Sequence, residues 1–267
     1  MSNQTTTAQR WVLALTSIAS LMVALDQLVV ATALSTIKHD LDASIEALEW
    51  TVNAYSLSFA VLLLTAAALG DRWGRRRMFV AGLGIFGLAS AACALAPGIG
   101  WLIGARAVQG AGAAFVMPLA ISLLSAEFPP ERRGRALGFF SGVTGLAVLG
   151  GPVVGGAVTE GIAWQWIFWI NVPIGVVVIP LVLSRMKESA GVAVRLDLLG
   201  VALVTGASLG VVWGLVRGNT AGWDSAEVLG TLAAGAVLAV AFIVWQTRAR
   251  ERPVPLPSRP PALWRSP

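Results

Sequence analysis

The chain has 267 residues, 56% of them hydrophobic and only 12% charged, against roughly 25% charged in an ordinary soluble domain. That composition excludes a water-solvated globule and points to lipid as the main solvent. The formal net charge of +5 does not indicate nucleic acid, because the basic residues collect in short segments beside apolar runs, where anionic lipid headgroups are their natural neighbours.

The first predicted span covers 11–34. It is longer than the roughly 7–15 residue core of a signal peptide and contains Asp26, so it reads as a retained helix although Ala31-Thr32-Ala33 resembles a cleavage site. Asp26 is expensive there, since an ionised carboxylate in mid-membrane costs at least about 2.5 kcal/mol, so it should face protein or water. An acidic segment with Asp40, Asp42, Glu46 and Glu49 follows, in which the single histidine, His39, reads as a solvated loop residue. Spans are next predicted over 50–69 and 78–97, joined by Leu69-Gly-Asp-Arg-Trp-Gly-Arg-Arg-Arg-Met78. Cys93, the sole cysteine, lies inside the third run and reads as a buried packing residue, not a reactive thiol.

The fourth span, 101–125, carries Arg106. The fifth, 135–159, contains Gly151, Pro152, Gly155 and Gly156, whose small side chains permit close helix approach while Pro152 removes a backbone hydrogen bond and predicts a bend. Further spans are predicted over 165–184, 197–216 and 227–246. The segment 248–267 is basic, proline-rich and too polar to cross a membrane or form a regular helix. The expected fold is thus an all-α, polytopic bundle of about eight transmembrane helices.

Orientation follows from the basic residues. With the N-terminus in the cytoplasm, Arg10, the arginines from Arg72 to Arg77 and Arg132 to Arg135, Arg185, Lys187, Arg195 and the tail arginines all lie inside, leaving Lys38 and Arg217 outside. Trp50, Trp101, Trp164 and Trp166 then fall at outer helix ends and are expected as interfacial anchors. Depth relates the two intramembrane ions: at 1.5 Å per residue, Asp26 lies about 12 Å and Arg106 roughly 8 Å below the outer surface. Their side chains can therefore meet. An acid whose water access and cationic partner change with conformation can take up a proton on one side and release it on the other; the lesser alternative is a structural pair that only orients two helices.

The order Leu69-x-Asp71-Arg72-x-Gly74-Arg75-Arg76 resembles the signature loop of the major facilitator superfamily of transporters. Leu25-Asp26, Arg106-x-x-Gln109-Gly110, Pro129-Pro130-Glu131-Arg132-Arg133-Gly134-Arg135-Ala136, Gly151-Pro152-x-x-Gly155-Gly156 and Trp164-x-Trp166-Ile167-Phe168-x-Ile170-Asn171-Val172-Pro173 are similar to the fourteen-helix drug and proton antiporters of that family. The resemblance implies a six-helix transporter bundle over 1–184, an additional helix pair over 185–247 and a cytoplasmic tail over 248–267, in the plasma membrane. It also implies Asp26 as proton carrier with Arg106 as its modulator, Asp71, Arg72, Gly74, Arg75 and Arg76 as a conformational latch, and Gly151, Pro152, Gly155 and Gly156 as the antiporter helix motif. The family pattern is altered at Leu28, where threonine is usual, at Ala31 for asparagine, at Ser35 and Thr65 for proline, at Ala67 and Ala147 for glycine, and at Gln165 for arginine.

Two functions follow. The first is proton-coupled export of small lipophilic molecules, cations among them, by alternating access, driven by the proton gradient without a cofactor. The second is a truncated half-transporter that inserts, assembles or binds without transporting, because the C-terminal six-helix half of the family is missing and would have to come from another chain. Membrane lipid and protons are the other expected partners. No His/Cys cluster, phosphate-binding glycine loop or nucleophile–base arrangement suggests a metal site, nucleic acid or enzymatic chemistry.

Overall fold

The computed structural model describes residues 6–191 and 197–250, and every regular element among them is helical. In chain order these are α1 (Thr7–Asp40), α2 (Ile45–Trp73), α3 (Arg75–Ala94), α4 (Ile99–Glu127), α5 (Pro130–Gly161), the short α6 (Trp166–Trp169), α7 (Asn171–Arg185), α8 (Leu198–Ala221) and α9 (Ala226–Arg250). Taking α6 and α7 as one crossing, eight helices are long and apolar enough to span a bilayer. Their outward surface is solvated by hydrocarbon, since Leu88 is 77% and Leu149 74% exposed. The chain is a multi-pass membrane protein.

The helices run beyond the apolar windows because polar residues close their ends. Thr6 and Gln9 form a reciprocal capping box that starts α1 four residues early, and the Ser44 hydroxyl accepts from the Ala47 amide at the start of α2. Between α2 and α3 only Gly74 intervenes, at φ 105°, a conformation that a side chain would strain. The sixth crossing is broken at Ile170 between α6 and α7 rather than continuous. At the other end of the chain, α9 continues to Arg250, past the predicted helix end at 246, while the rest of the tail, together with Arg195, lies outside the described residues.

Two apolar clusters fill the interior. One gathers Leu15, Val23, Phe79, Phe86, Leu119 and Val182; the other gathers Val29, Ile37, Leu48, Leu102, Trp164 and Phe168. On α1, α3 and the α6–α7 crossing the boundary between the clusters falls at a polar residue. Asp26 separates Val23 from Val29 on α1, Ser90 separates Phe86 from Cys93 on α3, and Asn171 separates Phe168 from Val178 across α6 and α7. The core is therefore two oily layers with one polar seam.

The α8–α9 hairpin packs through Gly210 and Gly235, where an added Cβ would strike the facing helix backbone. It lies against α2. At one end Arg217 reaches Glu46 of α2 at 3.2 Å and Glu227 of α9 at 3.2 Å, and Trp213 packs on Trp50 at 5.5 Å between ring centroids.

Two expectations need correction. Trp164 is not an interfacial anchor: it is fully buried, its Nε1 donates to Asp40 at 2.8 Å, and its ring meets Phe168 edge-on. The acidic residue at the end of α1 draws the indole inward, whereas Trp101 and Trp166 are exposed as anchors should be. His39, expected in a loop, is exposed as a solvated residue should be but lies in the last turn of α1, beside Asp40 and the start of α2, where Asp40 and Glu46 hold partners.

Candidate functional site

Asp26 and Arg106 lie in direct contact at the seam. Arg106 Nη1 donates to Asp26 Oδ2 at 2.6 Å, and the two side chains are 1% and 0% exposed. The depths estimated from helix rise agree with this contact. An isolated buried pair repays its desolvation poorly unless further hydrogen bonds satisfy both ions, and here they do. Asp26 Oδ1 accepts from Gln109 Nε2 at 2.8 Å and from Asn171 Nδ2 at 2.8 Å. Arg106 also donates to Gln109 Oε1 at 2.7 Å and, through Nε, to the Thr51 carbonyl at 3.2 Å. Ser90 Oγ accepts from both carboxamides, at 2.7 Å from Gln109 and 3.3 Å from Asn171.

Aromatic faces enclose the guanidinium. Its carbon lies 4.2 Å from the Tyr55 ring centroid and 5.8 Å from that of Phe168, so the cation is held over π-density and shut off from bulk solvent. α2 comes this close because a side chain at Gly110 would strike the Tyr55 carbonyl and the Ser58 hydroxyl. The Tyr55 hydroxyl is buried without a hydrogen-bond partner among the described residues. Cys93, fully buried as expected, lies 3.7 Å from Gln109 Oε1.

The sequence identified the two ions of this network but not the residues that satisfy them. Gln109 and Asn171 stood inside recognised motifs without an assigned role, and Ser90, Thr51 and Tyr55 carried no signal in isolation. Depth was the available clue. Gln109 is one helical turn from Arg106 on the same face, and a buried amide in lipid needs a partner.

The signature loop forms a second constellation at the α1 N-terminal side of the bundle. Asp71 pairs with Arg75 at 2.7 Å within one helical turn. Arg76 donates to the Met186 carbonyl at 2.8 Å and the Leu183 carbonyl at 3.2 Å, capping the C-terminal end of α7. In return Glu188, just beyond α7, accepts from the Arg76 and Arg77 amides at 2.9 and 3.2 Å, at the positive end of α3. Backbone bonds from Arg75 N to Ser189 O at 2.8 Å and from Gly191 N to Asp71 O at 3.1 Å complete the clasp. Arg72 is exposed and takes no part among the described contacts.

The fifth-helix motif packs on α1. Side chains at Gly151 or Gly155 would collide with Leu28 or Thr32, whereas a Cβ at Gly156 would enter open space and Pro152 is exposed. Leu28, one of the departures from the family pattern, is thus accommodated by the absence of a side chain at Gly151. Asp26, Asp71 and Gly151 belong to three separate places in the bundle, not to one pocket. No group of three or more His, Cys, Asp and Glu side chains is arranged to hold a metal among the described residues.

A family model described as Major Facilitator Superfamily matches residues 16–247. Among curated relatives, the tetracenomycin C resistance and export protein of Streptomyces glaucescens is 36% identical over 88% of this chain and 44% of its own length. The methylenomycin A resistance protein of Streptomyces coelicolor is 39% identical over 92% of this chain and 51% of its own, and the multidrug resistance protein Stp of Mycobacterium tuberculosis is 36% identical over 90% and 45%. The chain spans about half the length of the curated relatives it matches. Two solved transporters share the fold: the POT family transporter PepTSo, with TM-score 0.66 at 11% identity over 94% of this chain and 56% of its own, and a bacterial homologue of the lysosomal transporter Spinster, with TM-score 0.57 at 18% identity over 92% and 64%.

Proposed function

We propose that this chain, which belongs to the Major Facilitator Superfamily, supplies the proton-handling bundle of an exporter of small lipophilic molecules, cationic ones included, working by drug/proton antiport. The observation that carries the reading is the fully buried Asp26–Arg106 pair in the polar seam, where apolar clusters lie on either side. An ion pair so costly in lipid is retained for use more readily than for stability. The names of relatives, which speak of resistance and export, favour an outward-moving organic substrate.

In this reading Asp26 carries the proton and Arg106 modulates it, releasing the carboxylate when the helices part. The proton gradient is the energy source and no cofactor takes part. Asp71, Arg72, Gly74, Arg75 and Arg76 act as the latch between conformations, and Gly151, Pro152, Gly155 and Gly156 let α5 shift against α1. The bias of the basic loops supports an N-terminus on the cytoplasmic side, the membrane in this reading being the plasma membrane. Alternating access requires a second bundle to rock against, and the exposed small residues Gly138, Gly142 and Gly145 of α5 form the face that would meet it.

The test is accumulation of a cationic dye by inside-out vesicles with an acidified lumen, containing the chain with and without the C-terminal half of a relative. Accumulation with the complementary half, retained in Asp26→Glu and abolished in Asp26→Asn, is the expected result. Undiminished accumulation in Asp26→Asn would remove the proton role.

A further inference from the structure

The guanidinium of Arg106 is bonded through two of its three nitrogens. Nη1 donates to Asp26 and Gln109 and Nε to the Thr51 carbonyl, but Nη2 holds no partner among the described residues. In the same cage the Tyr55 hydroxyl is shut off from solvent and likewise without a hydrogen bond. The helices that carry this network are α1 to α4, α6 and α7, and every side chain on them is described. An idle donor and an idle acceptor thus belong to the two partners of one cation–π contact, 4.2 Å from guanidinium carbon to ring centre.

A buried phenol without a hydrogen bond is a standing cost, and lipid supplies nothing to meet it. Tyr55 is poorly placed to turn away in search of a partner. Its ring lies parallel to that of Phe59, 6.4 Å between centroids, and its carbonyl accepts from the Ser58 hydroxyl at 3.0 Å while packed against Gly110. Arginine is long and jointed, so of the two it is Arg106 that moves.

Charge decides when. Ionised, Asp26 holds the guanidinium at 2.6 Å. Its Oδ1 already accepts from both Gln109 and Asn171, so an added proton falls on Oδ2 and faces Arg106 Nη1, donor against donor. Asp26 also bears electrostatically on the Tyr55 hydroxyl, ahead of Arg106 itself, so the three side chains act as one unit. Cys93 on α3, against Gln109, is the other titratable side chain at this level among the described residues.

We propose that Tyr55 is a second seat for Arg106: when Asp26 is neutral the guanidinium slides to the hydroxyl edge of the ring and Nη2 donates to the phenol oxygen, with Nε still on the Thr51 carbonyl. Tyr55 is then a positioning residue that acts on Asp26 through Arg106. The inference rests on Asp26 as the proton carrier and adds how the charge is managed. An arginine with somewhere to go leaves no cation stranded when the carboxyl takes its proton, and its return to Asp26 discharges that proton.

Tyr55 is the single tyrosine of the chain, so the tyrosine Raman bands of the full chain purified in detergent report this hydroxyl alone. The intensity ratio of the ring Fermi doublet separates a phenol oxygen that accepts a hydrogen bond from one that does not. The unchanged chain at neutral pH should give the unbonded ratio and Asp26→Asn the acceptor ratio, while Asp26→Asn combined with Arg106→Met should return to the unbonded one. An unbonded ratio in Asp26→Asn, or an acceptor ratio that persists without the arginine, overturns the proposal. Thermal unfolding gives a second readout, because Tyr55→Phe keeps the ring and removes the hydroxyl. It should leave the midpoint of the unchanged chain in place and lower that of Asp26→Asn by about 3–10 °C. Equal shifts in the two backgrounds also overturn it. Should Asp26→Asn not fold, Asp26→Ser takes its place in both measurements. Dye accumulation in Asp26→Asn bears on proton carriage and the doublet on where the arginine goes, so the two readings fail separately.

Discussion

Replacing Arg106 with methionine removes the cation but keeps an unbranched stem between the Tyr55 and Phe168 rings. Asp26, with a side chain 0% exposed, then keeps only the Gln109 and Asn171 donors. Breaking a buried pair from one side costs about 3–5 kcal/mol, because a charge is left behind without its partner. Asp26→Asn costs less, about 1–3 kcal/mol, since the arginine retains Gln109 Oε1, the Thr51 carbonyl and the Tyr55 face. The double variant Asp26→Asn with Arg106→Met abandons neither charge, so it should be more stable than Arg106→Met alone, with a coupling of about 2–3 kcal/mol. Thermal unfolding in detergent, followed by tryptophan fluorescence, reads this directly. At about 2–4 °C per kcal/mol, Arg106→Met should unfold roughly 6–20 °C early, and the second substitution should restore a large part of the loss. Strictly additive costs in the double variant would refute the reasoning, for they would mean that the two ions do not depend on each other.

The remaining expectations concern packing and the clasp. Gly155→Leu should lower the unfolding midpoint by the equivalent of about 1–3 kcal/mol by forcing α5 off Thr32, while Gly142→Leu, whose side chain enters open space, should leave it unchanged. Glu188→Ala should raise hydrogen exchange at the Arg76 and Arg77 amides without a comparable change at Leu83, because only the former lose an acceptor. Trp164→Phe should cost about 0.5–1.5 kcal/mol through loss of the bond to Asp40, and Trp166→Phe close to nothing; equal effects would restore Trp164 to the membrane surface.

The eight crossings were legible because each is a long apolar run bounded by charge, and that signal survives without any knowledge of packing. Helix ends were legible only to within about two turns, the end of the first span, expected at 34, lying at Asp40. Thr6 and Ser44 extend α1 and α2 by capping, which hydropathy does not register. Asp26 and Arg106 were found because each is costly alone, and their common level follows from helix rise. Gln109, Ser90 and Asn171 were not found as partners, since a single polar residue per helix acquires meaning only when tertiary packing brings four helices to one level. Trp164 misled for the opposite reason: its position at a helix end has a common interpretation, and Asp40, far away in the chain, overrules it. The mutual capping of α3 and α7 through Arg76 and Glu188 likewise joins residues more than a hundred positions apart. Arginine-rich turns are explained equally well by topology, so nothing local announced it.

Among the described residues Asp26 is approached by three hydrogen-bond donors and by no acceptor: Arg106, Gln109 and Asn171. Such a nest suits a carboxylate and misfits a carboxylic acid, whose new O–H needs an oxygen to point at. The nearest remedy is rotation of a side-chain amide, which would exchange nitrogen for oxygen at Gln109 or Asn171 and disturb Ser90 at the same stroke. Neutralising this one residue would therefore be felt on α3, α4 and α7 together, and the discharged protein would have to be a differently wired one.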